Sequence, residues 1–62
     1  MNTKDALDFY KEVAGEPISR DVLLRYIREH RIASVNLLGR YDVDRRSLKK
    51  FAEERAAARA AK

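Results

Sequence analysis

Beyond Met1, every large apolar side chain of the 62-residue chain lies between Leu7 and Phe51, and no cysteine is present to staple what those residues cannot hold. Disulfides and thiolate metal sites are therefore excluded as supports. A single histidine, His30, leaves any metal site dependent on carboxylates. A chain this short buries a small fraction of its surface, so it forms one domain held by a compact core or by a partner chain. The apolar set suffices for three or four packed helices but not for a deep pocket as well. No glycine-rich phosphate loop, metal constellation or Ser-His-Asp spacing is present. The sequence thus points away from an enzyme, with no catalytic residue, metal, cofactor or small-molecule substrate expected.

Capping residues and apolar spacing divide the chain into helices. Met1 to Gly15 reads as the first. Asn2 or Thr3 caps it, Asp5 favours its positive end, and Ala6, Phe9, Tyr10 and Val13 share one face. Gly15 and Pro17 end it. Ile18 to Arg31 reads as the second, with Ser19 as N-cap and Ile18 and Leu23 at the spacing of a hydrophobic staple. Val22, Leu23, Tyr26 and Ile27 form its buried stripe. Arg20, Arg25, Arg28 and Arg31 lie largely off that stripe, as a solvated face or as phosphate contacts beside a main site. His30 suits the negative end of this helix better than a metal.

Ser34 is a further N-cap, and Val35 to Tyr41 is expected to form a helix of about two turns. Gly39 within it costs roughly 1 kcal/mol relative to alanine, which close approach of another helix would explain. Asp42-Val43-Asp44 is expected as a turn. Asp44 caps the last helix, from Arg45 to about Ala60, and Val43 and Leu48 repeat the staple spacing. The tail from Arg55 to Lys62 has high helix propensity and little to bury, so it extends the helix into solvent, frays or docks. The expected fold is all-α: a small three- to four-helix bundle in a single domain over 1–62, with a two-helix unit at 34–54 and an Ala/Arg-rich helix or tail at 55–62.

Charged residues make up 39% of the chain and the net charge is +4. Residues 1–17 carry −2, residues 18–44 carry +1 and residues 45–62 carry +5. This asymmetry argues about partners and not about fold. No apolar run is long enough to span a bilayer, and the basic last helix has mostly alanine on its apolar side, so no membrane partner is expected. The acidic, polar N-terminus reads as neither a secretory signal nor a transit peptide, so a cytoplasmic location is expected.

Leu37 to Leu48, LLGRYDVDRRSL, resembles the core of many helix-turn-helix regulators, through Leu37, Tyr41, Val43, Asp44, Ser47 and Leu48. The chain departs from that pattern at Leu38, where alanine is usual, and at Asp42, where glycine is usual. The resemblance covers roughly a third of the chain, at the level of the superfamily. It implies a helix-turn-helix over 34–54, with the helix at 45–60 placed in the major groove of double-stranded DNA. Arg45, Arg46, Lys49 and Lys50 would then meet bases or phosphates, and Ser34, Asn36 and Arg40 would reach the DNA backbone. Cations at a helix N-terminus are unfavourable by about 0.3–1 kcal/mol each, so a partner anion would account for Arg45 and Arg46. The function implied is a small sequence-specific or accessory DNA-binding protein: a transcriptional regulator, or a recombination, replication or partition factor. One recognition helix contacts few base pairs, so a homodimer or tandem binding at paired half-sites is expected. The alternative is a protein-interaction module that docks an acidic partner through the basic last helix.

Overall fold

The structure is a computed structural model that describes residues 1–60 of the 62. Its order is α1 (Thr3–Ala14), α2 (Arg20–Arg28), β1 (Ser34–Leu37), β2 (Arg40–Val43) and α3 (Arg45–Ala60). Local chemistry sets the helix ends. The Asn2 side chain accepts the Asp5 N–H at 2.7 Å, and the Ser19 hydroxyl accepts the Val22 N–H at 3.2 Å. The Asp44 carboxylate accepts the Arg46 N–H at 3.1 Å. Gly15 ends α1 in the left-handed conformation (φ 81°), donating its N–H to Lys11 O at 3.0 Å. At the end of α2, His30 takes the left-handed position that glycine usually fills (φ 60°). Its N–H reaches Ile27 O, and the Arg31 N–H reaches Tyr26 O, the paired bonds of a Schellman motif.

The expected all-α bundle and its helix-turn-helix are not what the chain forms. Residues 34–43, expected as a short helix and a turn, make an antiparallel hairpin in which Ser34 faces Val43, Val35 faces Asp42, Asn36 faces Tyr41 and Leu37 faces Arg40. The fold therefore combines three helices with a two-stranded sheet. The cause lies in Leu38 and Gly39, whose φ values are 50° and 82°. Two successive left-handed residues cannot continue a right-handed helix, and they make the tight hairpin turn whose twist matches that of the strands. Gly39 is thus a turn residue, and no helix presses on it: a Cβ there would meet nothing within 4 Å. The flanking residues alternate with a period of two, as strands do. Val35, Leu37, Arg40 and Asp42 share the outward face, while Val43 on the inward face is buried.

The hairpin's base is tied on three sides. Asp44 N–H donates to Ala33 O at 2.9 Å, and Ala33 N–H donates to the Ser47 hydroxyl at 2.9 Å. Met1 lies along the outer edge of β2, where Val43 N–H donates to Met1 O at 2.7 Å and the Met1 amino group donates to Val43 O at 2.8 Å. The same amino group pairs with Asp42 at 2.7 Å.

The core gathers Ala6, Tyr10 and Ala14 of α1, Leu23 and Ile27 of α2, Ile32, Val43, and Leu48, Phe51 and Ala52 of α3. Phe51 is its aromatic hub, 4.8 Å from the Tyr26 ring centroid and 6.4 Å from that of Tyr10. Ala6, Ala14 and Ala52, all buried, let α1 and α3 approach closely. The alanine-rich end of α3 also docks, although it has little apolar surface to bury. Arg59 donates to Ala14 O at 2.8 Å and pairs with Glu16 at 2.9 Å, so a cation sits on the negative end of α1. The last two residues of the 55–62 tail lie outside the described residues.

Candidate nucleic-acid interface

Three segments far apart in sequence bring their cations to one place. Lys4 stands in the first turn of α1, Arg20 opens α2 and Arg40 opens β2. Together with Asn2, Gly39 and Tyr41 they line an open groove of about 540 Å³. A second open groove, of about 650 Å³, is lined by Arg28, His30, Ser34, Asn36, Tyr41 and Ser47 over a floor that includes Ile27 and Ile32. Tyr41 belongs to both, so the two grooves flank its side chain. No carboxylate lines either one. Among the described residues, Lys4, Arg20, Arg28 and Arg40 are exposed and none forms an ion pair. The N-terminal ends of α1 and α2 add the positive poles of two helix dipoles to the first groove.

The predicted site residues divide between this surface and α3. Arg40 lines the first groove, and Ser34 and Asn36 line the second, though from a strand and not from a helix start. Arg45, Arg46, Lys49 and Lys50 are exposed along the first turns of α3. At 100° per residue they spread over a broad outward arc and do not converge on one point. Arg45 lies over the Phe9 ring, 5.4 Å from its centroid, which holds it against α1. Lys50 lies on the other flank beside Arg31, where Glu54 shares the surface. The expected penalty for cations at this helix start is offset by the Asp44 cap.

Sequence reasoning missed Lys4 altogether and left Arg20 and Arg28 between a solvated face and a phosphate contact. The strand alternation Arg40-Tyr41-Asp42-Val43 held the missing signal. A hairpin there folds Arg40 back toward the helix starts.

Among the described residues, no group of three or more His, Asp or Glu side chains is arranged to hold a metal ion. Among the same residues, no helix is long and apolar enough to cross a membrane. Compared with known families, curated proteins and solved structures, the chain gives no match, so its function is argued from the chemistry of this surface.

Proposed function

We propose that the chain binds double-stranded DNA through the grooves that flank Tyr41, with the α3 cations reaching phosphates beside them. The observation that carries this is the pair of grooves lined by Lys4, Arg20, Arg28, Arg40 and His30 without a single carboxylate. Cations outside any ion pair are available to an external polyanion, and phosphate neutralisation supplies most non-specific affinity for DNA. Both grooves are open and shallow, which suits a backbone passing across them better than a small molecule held inside. Arg20 and Arg40 fit phosphate or guanine through their planar forks, while Asn36 and Ser34 offer neutral hydrogen bonds. Two copies on paired half-sites would enlarge the small contact that one copy makes. Such a protein would serve as a regulator or as an accessory factor in recombination, replication or partition.

A salt titration of duplex binding tests the proposal. The log–log slope is expected to be steep, about −0.9 per phosphate neutralised. Replacing Arg20 and Arg40 together by alanine is expected to make it shallower by roughly 2. Loss of binding on Arg45→Ala with Arg46→Ala, but not on the groove pair, would move the contact to the start of α3. No salt-dependent duplex binding, with retention on an acidic protein, would overturn the proposal in favour of a protein-docking module.

A further inference from the structure

The hairpin tip carries two separate energetic costs, and no contact among the described residues offsets either. Leu38 is fully exposed, Leu37 beside it is 56% exposed, and Val35 further down the same face is 56% exposed. Leu38 also holds a φ of 50°, in the region that disfavours side chains other than those of glycine, asparagine and aspartate. An Asn-Gly turn would form the same hairpin without strain and without an apolar tip. An apolar side chain at a strained and solvated position gains only where it enters a partner.

The surroundings of the tip indicate which partner. Arg40 stands directly across from Leu37, and Gly39 lines the same groove as Lys4, Arg20 and Arg40. The apolar tip thus stands beside Arg40 and the groove that holds Lys4 and Arg20, while the carboxylate on its face, Asp42, lies further down opposite Val35 and is paired with the Met1 amino group. Minor-groove proteins that bend DNA combine these features, an apolar wedge that unstacks a base step and cations that hold the phosphates on either side. Charge complementarity therefore favours duplex DNA over a neutral or basic partner.

We infer that Leu38, carried on the hairpin turn, inserts as an apolar wedge between adjacent base pairs and bends the DNA that the chain binds. The inference rests on the DNA-binding reading above and adds bending to it. The wedge forms no covalent bond, and the unstacking is offset by burial of Leu38 and by added phosphate contacts along the bent duplex.

The test uses the full chain and a mixed-sequence duplex of about 30 base pairs with a fluorescent donor and acceptor at its ends, at about 50 mM salt. Binding and end-to-end transfer are read separately. The wild-type chain is expected to bring the ends together by a kink of roughly 20–90°. Leu38→Asn and Leu38→Gly, which both accept the left-handed turn, are expected to melt no lower than the wild type. Both are expected to bind roughly tenfold or more weakly, as for loss of one buried leucine, and to lose the bend. Leu38→Met is expected to keep it. Binding without bending by the wild type, or an equal bend with Leu38→Asn, would overturn the wedge while leaving DNA binding in place. Absence of any duplex binding would sink both. A dimer that forms without DNA and is lost on Leu38→Asn would assign the tip to a second copy of the chain, and overturn the wedge as well.

Discussion

Two left-handed glycines turn this chain, and their surroundings are opposite. Gly15 (φ 81°) links α1 to α2, and a Cβ added there would stand 2.8 Å from the Arg59 guanidinium. Gly39 (φ 82°) closes the hairpin, and a Cβ there would meet nothing within 4 Å. The first turn lies beneath the far end of α3, where Arg59 joins Ala14 O and Glu16. The second stands free, next to an exposed leucine. One backbone conformation thus serves two purposes. At Gly15 it leaves room for the Arg59 side chain against the end of the first helix, and at Gly39 it presents an open tip. The packed turn is a fold determinant, and the bare turn is a surface determinant.

Three substitutions test this contrast. Gly15→Ala should have the largest effect, up to about 1 kcal/mol more than Gly39→Ala in urea unfolding, because the strained φ is joined by a shift of the flexible Arg59 guanidinium. Gly39→Ala should cost about 1–2 kcal/mol, the backbone term alone. Equal losses at the two sites would show that Arg59 moves aside freely, and the contrast would collapse. Arg59→Ala should cost the least, about 1 kcal/mol or below, since its ion pair is half exposed and its bond to Ala14 O is one hydrogen bond. In the Arg59→Ala background, the penalty for Gly15→Ala should fall to that of Gly39→Ala. A double-mutant cycle measures that coupling directly.

The sequence made the local features legible. Asn2, Ser19 and Asp44 cap the three helices because a short polar side chain before a helical run has few competing uses. Gly15 marked the end of α1 for the same kind of reason. The hairpin was hidden because Leu37, Leu38 and Tyr41 also fit a helical face, and Leu38-Gly39 lacks the asparagine or aspartate that usually announces a two-residue turn. Two residues that depart from the helix-turn-helix pattern, Leu38 and Asp42, fall in that hairpin. Leu38 opens its turn, and Asp42 lies in β2, paired with the Met1 amino group. The groove was beyond local inspection. Lys4, Arg20 and Arg40 meet only once the hairpin folds back, and no spacing rule links them. Docking of the tail was one of three outcomes that its composition left open, and local inspection could not choose it, since it depends on one arginine reaching a carbonyl at the far end of α1.

No charged side chain among the described residues is buried. The core is therefore indifferent to which charges the surface carries, and the grooves beside Tyr41 can be rewritten without repacking beneath them. Lys4, Arg20, Arg28 and Arg40 are each exposed, on three separate elements, and none is held by an ion pair among the described residues, so each can change alone. A scaffold arranged in this way drifts readily between targets. On the proposed reading, its binding preference would be set by a few exposed surface positions, with no change required of the core beneath them.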